Sequence, residues 1–301
     1  MGLTRFGILA TNLSYGIPSD RLFSHVRRLA EAVESSPFDS LWLPDHVVQG
    51  PVGDVAVNHD EPKRTATGPA GPHQPIFDAP TFLCALAVIT ERLTIGPLVS
   101  PVTIRHPALL AKSITTSDVV SGGRVVLGLG AAWDGDEHRR YGLDFPAAAG
   151  RVDRLEDAVQ ICRAMLDEEA ATFRGKLASI DEAYNVPRPV NGHVPILIGG
   201  SGPRTLRLAA RHADACNPIG PGDHLRAAFA TVADECERIG RDPAAVDRIA
   251  GVMFHRRADV WAQVGDALTA GAQGVILVPW QLALAPDEIG DLGEGLVARF
   301  G

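Results

Sequence analysis

A single α/β domain of the (β/α)8 (TIM) barrel type, with an insertion after its second strand, is predicted by three observations. Short apolar runs alternate with longer segments of helical period along the whole chain. The strand candidates number eight. Runs such as Val125-Val-Leu-Gly-Leu and Pro195-Ile-Leu-Ile are apolar at consecutive positions, as strands covered on both faces require. An open doubly wound sheet obeys the same alternation and is the architectural alternative.

The predicted strands are Phe6–Leu9, Ser40–Leu43, Leu93–Val99, Val125–Gly130, Pro195–Ile198, Ala213–Asn217, Arg248–Phe254 and Gly274–Val278. A first helix over Ser19–Ser35 opens at a Ser-Asp pair read as its cap, and carries Leu22, Val26, Leu29 and Val33 on one apolar face. A helix over Arg151–Leu166 repeats that pattern, with Asp153, Glu156 and Asp157 near its positive N-terminal end. Helices over Ala258–Ala270 and Pro286–Phe300 complete the last two units, and Gly240 and Gly271 are expected helix stops. No composition break marks a second domain, so 1–301 reads as one unit. The segment Val47–Asp78 is rich in Gly, Pro and His and has neither period. A loop of that length in a compact domain is a lid or a surface insertion, and in a barrel it projects from the face where active sites are assembled.

With 46% hydrophobic residues, 301 positions can bury a large core. The formal charge is -8, and Lys and Arg are scattered singly or in pairs, which excludes a nucleic-acid-binding stripe. The start of the chain shows no basic region followed by an apolar one, and no window reaches the about 20 apolar residues of a membrane span. A cytoplasmic protein without a membrane partner is expected. Cys84, Cys162, Cys216 and Cys236 are widely spaced and read as small buried fillers.

Three strand-end segments carry candidate chemistry: Leu43-Pro-Asp-His46, Gly128-Leu-Gly-Ala-Ala-Trp133 and Ile198-Gly-Gly-Ser-Gly-Pro-Arg204. In the third, Gly199, Gly200 and Gly202 let backbone approach a ligand, while Ser201 is expected to cap the helix opening at Pro203. Exposed N–H groups at such a helix start favour a phosphate; an ordinary tight turn is the alternative. Asp45-His46 ends the second strand, where an imidazole can carry a proton; a structural histidine fixed by Asp45 or a carbonyl is the alternative. No metal site is expected, because the ten histidines are dispersed, and His138 beside Glu137 is placed on the surface. Gly200-Ser-Gly lacks the spacing of a hydrolase elbow.

Taken together these segments resemble the luciferase-like oxidoreductases. The motifs are Arg105-His-Pro-Ala-Leu-Leu-Ala-Lys112, Ser121-Gly-Gly-Arg-Val-Val-Leu-Gly-Leu-Gly-Ala-Ala-Trp133, Glu137 to Gly142, Arg151-Val-Asp-Arg-Leu-Glu156, Pro195-Ile-Leu-Ile-Gly-Gly-Ser-Gly and Ala213-Asp-Ala-Cys-Asn217. The Gly-Ala-Ala-Trp stretch and the Ala-Asp-Ala-Cys-Asn strand are most similar to the branch that uses the deazaflavin coenzyme F420; FMN is the alternative cofactor.

The resemblance implies a (β/α)8 barrel with a flavin-type ring in its mouth and the cofactor phosphate against Gly199, Gly200, Ser201 and Gly202. It implies that His46 approaches the ring as the catalytic residue and that Asp45 lies with it among the cofactor-binding residues. It further implies that Leu98, Val99 and Ser100 form a supporting bulge with a cis peptide at Leu98-Val99, that Gly130 and Ala131 border the pyrimidine end, and that Asp136 makes a polar contact. Sugar-phosphate dehydrogenases of this branch carry a glutamate acid where Trp133 stands and an asparagine where Asp136 stands. Trp133 has no carboxyl proton to give, so an apolar or aromatic substrate wall is its expected use.

The implied activity is hydride transfer between coenzyme F420 and a small organic substrate, in a homodimer. One alternative is an FMN-dependent monooxygenase supplied by a separate flavin reductase. The other is a non-catalytic cofactor-binding or structural barrel.

Overall fold

The computed structural model describes residues 2–9, 17–48, 75–280 and 282–301. In chain order the elements are β1 (Phe6–Leu9), α1 (Ser19–Glu34), β2 (Ser40–Leu43), α2 (Ala79–Ile89), β3 (Thr94–Pro97), β4 (Ser100–Pro101), α3 (Pro107–Ser121), β5 (Leu127–Gly130), α4 (Gly135–Arg140) and α5 (Ala148–Asp167). There follow β6 (Ala170–Arg174), β7 (Ser179–Tyr184), β8 (Ile196–Gly199), α6 (Pro203–His212), β9 (Ala215–Asn217), α7 (Gly222–Ile239), β10 (Asp247–Phe254), α8 (Val260–Thr269), β11 (Gly274–Pro279) and α9 (Pro286–Phe300).

The parallel strands run in the order β3-β2-β1-β11-β10-β9-β8-β5-β4. Ile95 N–H donates to Arg124 O and Val126 N–H to Ile95 O, both at 3.0 Å, so β3 also meets the start of β5. The sheet therefore closes, with β3 and β4 as two halves of one barrel strand. Of the strands expected from sequence, all are present; Leu93–Val99 is the one that splits. Its upper part leaves the ladder at Leu98 and Val99, then rejoins β5 through Ser100 and Pro101. The apolar pattern alone does not mark this break, because both halves stay largely buried; the bulge implied by the resemblance falls at this place.

Two apolar layers result. Leu22, Val26, Leu29 and Val33 of α1 are buried in the helix-to-sheet layer, while Trp42, Val126, Leu197, Ile249 and Ile276 fill the barrel interior, bordered by Leu98 and Val99. Helix α1 starts one residue after Pro18 and has no side-chain cap, so Ser19 and Asp20 lie inside its first turn and do not form the expected cap. Helix α5 begins at Ala148, earlier than expected, which moves Asp157 to mid-helix. There its buried carboxylate accepts from the amides of Lys176 (3.2 Å), Leu177 (2.6 Å) and Ala178 (3.0 Å), closing the antiparallel β6–β7 hairpin. That hairpin went unread in the sequence because most of its side chains are exposed. Gly240 ends α7 with φ 74° and Gly271 follows α8 with φ 102°, as expected.

All four cysteines are free, three of them buried; burial pushes the Cys162 and Cys216 thiols up to about 12. Among the described residues no helix is long and apolar enough to cross a membrane. The expected lid, 47–78, lies outside the described residues except for 47–48 and 75–78.

Candidate active site

The C-terminal ends of β2, β4, β5 and β8 meet at one mouth of the barrel, where a parallel barrel gathers its chemistry. Two residues past β2, Asp45 is buried. Ser100 Oγ donates to it at 2.5 Å, and Arg105 Nη1 donates to both its oxygens at 2.9 and 2.7 Å. Arg105 Nη2 also binds the carboxylate of Asp78, which caps α2 through Thr81 N–H. Burial pushes the Asp45 carboxyl above its ordinary range, against the pull of Arg105 and Ser100. Asp45 thus does not fix His46, contrary to one sequence reading.

The partner of His46 is Glu137. Its Oε2 lies 3.0 Å from His46 Nδ1, while Oε1 accepts from Val47 N–H at 2.5 Å and Val48 N–H at 3.3 Å. Glu137 is only 2% exposed. Burial disfavours the charged form of each residue, and the pairing outweighs it: His46 is raised by Glu137, Asp134 and Asp45, and Glu137 is lowered by His46 and the two amides. Helix α4 makes the pairing possible. Asp134 caps it, accepting from Asp136 N–H at 2.9 Å and Glu137 N–H at 3.1 Å. One turn beyond Glu137, Tyr141 donates its hydroxyl to Val47 O at 2.9 Å.

This helix overturns two expectations. Asp136 is exposed, and its carboxylate is taken by Arg139 (2.6 Å) and Arg140 (2.9 Å), so the inward acid is Glu137, one residue later. His138 is fully buried instead of lying on the surface: Nδ1 donates to Asp134 O at 2.6 Å and Nε2 pairs with the Thr103 hydroxyl at 2.6 Å. Sequence reading missed Glu137 and His138 because they sit in a charged run, although the Glu137 to Gly142 motif contained both. His46, Asp134 and Glu137 bring one donor atom each within 4.8 Å of one another. Both Glu137 oxygens and Asp134 Oδ1 already accept protein hydrogens, which makes this set a hydrogen-bonded network.

The peptide between Leu98 and Val99 is cis, at the bond expected from the resemblance. Val99 turns its isopropyl group into a slot between β5 and β8. A Cβ on Gly130 would overlap Val99 Cγ2, and one on Gly199 would meet Cγ1 at 2.8 Å. The glycines at 130 and 199 make room for Val99, whereas sequence reading assigned Gly199 to a ligand. After Gly130, Arg151 Nε donates to Ala131 O at 3.1 Å and its guanidinium stacks on Phe145 at 4.1 Å. Trp133 is 48% exposed, with its ring edge-on to His46 at 5.3 Å between centroids.

Beyond β8, Gly200 takes φ 126°, a conformation that side chains disfavour. Ser201 does not cap α6. Its Oγ donates to Ile219 O at 3.1 Å and lies 3.2 Å from Ile219 N–H, so it ties this turn to the one after β9. The cap position belongs to Gly202, with no side-chain hydrogen bond to the first turn of α6, and Pro203 stands at the first helical position.

Comparison with known proteins agrees with this architecture. Residues 4–287 match the family described as luciferase-like monooxygenase. The chain is 35% identical over 211 residues to an F420-dependent glucose-6-phosphate dehydrogenase of Microbacterium testaceum, covering 70% of this chain and 55% of that protein. A protein of the same name from Nakamurella multipartita is 33% identical over 211 residues, covering 70% and 54%. The chain spans about half the length of these curated relatives. The coenzyme F420-dependent tetrahydromethanopterin reductase of Methanopyrus kandleri shares the fold, with TM-score 0.75, 16% identity and 99% of each chain covered. With a match running through nearly all of its barrel, the chain belongs to the luciferase-like monooxygenase family.

Proposed function

We propose that the chain is a two-electron oxidoreductase using coenzyme F420, with His46 as its proton carrier and a small organic molecule as substrate. The observation that carries the reading is the joint placement at one barrel mouth of a partly buried His46 paired with a buried carboxylate and a helix α6 whose first turn has no side-chain cap. The F420-dependent naming of the two relatives supports the choice of cofactor.

The chain's residues fit such a group. An added Cβ on Gly202 would meet nothing closer than Thr205 Oγ1 at 3.8 Å, so the start of α6 is open on that side. The first-turn amides, which lack intrahelical acceptors, and the helix dipole suit a phosphate there. Leu98, Val99, Gly130 and Ala131 would border the ring, and Asp45, through Ser100 and Arg105, holds that wall. When bound, the deazaflavin supplies a carbon that gives or takes hydride. His46 takes or returns the accompanying proton. Trp133, half exposed beside His46, gives the substrate an apolar wall and no acid.

The word monooxygenase in the family description supports a second reading, which we take as an FMN-dependent monooxygenase fed by a separate reductase. Anaerobic titration of the purified chain with coenzyme F420 and, separately, with FMN separates the two. Saturable F420 binding with weak FMN binding is the expected result. FMN binding alone, with oxygen consumption and a hydroxylated product, would transfer the proposal to the second reading; retention of neither would leave a non-catalytic barrel.

A further inference from the structure

We propose that Glu137 is the positioning residue of this site: its one buried carboxylate fixes the proton of His46 on Nδ1, leaves Nε2 as the working nitrogen, and anchors the backbone that follows β2. Val47 and Val48 present backbone N–H groups, which can only donate, to Oε1. Oε2 is left to His46 Nδ1 at 3.0 Å. An ionised carboxylate offers no hydrogen, so Nδ1 must carry one whether the ring is charged or neutral. Nε2 has no hydrogen-bond partner among the described residues, and the His46 side chain is 20% exposed. The neutral ring therefore accepts a proton at Nε2 and becomes an imidazolium beside a carboxylate; the reverse step returns that proton from Nε2 while Nδ1 keeps its own.

The groups facing His46 agree with this assignment. Asp134 and Glu137 come from α4 and its cap, Asp45 from its own strand end, and the Trp133 ring meets it edge-on. The only described cation of this network, Arg105, is engaged by Asp45 and Asp78. Glu137 also works with Tyr141, the residue that follows α4, so that Val47 is held at both its N–H and its C=O by α4 and its C-terminal cap. The ring and the root of the 47–78 segment are thereby set by a single helix.

The part of this inference that gives Nε2 a role in proton transfer rests on the proposed oxidoreductase reading; the tautomer does not. Glu137→Gln separates them. The amide oxygen must face Val47 and Val48, which turns its NH2 toward His46 Nδ1 and forces that nitrogen to become an acceptor. The test is two-bond proton–nitrogen NMR of the cofactor-free chain labelled at histidine nitrogens, with the His46 signal assigned by its loss in His46→Asn. Wild type is expected to show neutral His46 as the Nδ1–H form, and Glu137→Gln as the Nε2–H form with its titration midpoint lowered by about one pH unit or more. Val47 and Val48 amides should keep slow exchange in Glu137→Gln and lose it in Glu137→Ala.

An unchanged tautomer and midpoint in Glu137→Gln would overturn the proposal. Should that variant fail to fold, the wild-type spectrum decides alone, since a neutral Nε2–H His46 there overturns it equally. Failure of F420 to bind would leave the tautomer result standing, and a wrong tautomer would leave cofactor binding standing.

Discussion

Arg105 donates to both oxygens of Asp45, at 2.9 and 2.7 Å, and with its other nitrogen binds Asp78, so one guanidinium ties the end of β2 to the cap of α2. These two acids flank the long segment that the sequence marks as an insertion. Asp45 is buried, and taking away its cation leaves a charge that burial alone cannot accommodate. Arg105→Gln is expected to cost about 3 kcal/mol in urea unfolding at neutral pH. The loss should shrink as pH falls. Without Arg105 the Asp45 carboxyl rises further above its unfolded value, so the folded variant gains relative to the unfolded chain once the group is protonated. A loss below about 0.5 kcal/mol, or one that does not depend on pH, would show that the tie carries no stability.

The fit of Val99 between Gly130 and Gly199 makes a prediction about coupled residues. Gly130→Ala places a methyl against Val99 Cγ2 and should destabilise by about 1–3 kcal/mol through overpacking. Val99→Ala leaves space and is destabilising by itself. Combined, the two should cost clearly less than their sum, with a coupling of about 1 kcal/mol in a double-mutant cycle. Additive losses would mean that the two side chains do not share the slot.

Much of this was legible in the sequence, for a physical reason. Strands such as Ile196–Gly199 are covered on both faces and must be apolar throughout, so their number and order could be counted. Burial on both faces keeps the apolar pattern by itself silent about the break at Leu98-Val99, because a bulge inside an apolar run changes hydrogen bonding and leaves composition untouched; only the family resemblance placed it there. At α4 the acid that points inward lies one residue beyond the one expected. In Asp134-Gly-Asp-Glu-His-Arg-Arg140 the acids are chemically alike, and only the rotation of a six-residue helix sends Asp136 to solvent and Glu137 inward. Such a short helix gives too few apolar positions to reveal that rotation. Ser201 was misassigned for a related reason, since its hydroxyl bonds to Ile219, eighteen positions away, and a local reading sees only the adjacent helix.

The His46–Glu137 pair predicts how stability depends on pH. His46 is raised above its ordinary value of 6.5, so its contribution is full below that value and is lost as pH rises through the folded one. Glu137 is lowered from 4.5, so its contribution is full above that value and is lost as pH falls through the folded one. Both hold together between 4.5 and 6.5. The stability difference between wild type and His46→Asn should therefore be largest in that window and fall on either side, as read from unfolding midpoints at closely spaced pH values. A difference that grows steadily toward pH 9 would contradict an ion pair.

Gly202 offers a test in which stability and binding move in opposite directions. Its φ of -68° suits any residue, and a side chain there enters open space near Thr205. Gly202→Asp should supply the cap that α6 lacks and complement the helix dipole, raising stability by a few tenths to about 1 kcal/mol. The same carboxylate would occupy the first-turn amides and repel an anion. If α6 receives the cofactor phosphate, F420 affinity should fall by about a hundredfold or more while the melting temperature rises, as measured by fluorescence titration and thermal unfolding of one preparation. Gly202→Asn separates charge from capping: it should stabilise similarly and weaken binding less. Unaltered F420 affinity in a stabilised Gly202→Asp chain would move the phosphate away from α6 and leave the role of His46 to be judged by itself.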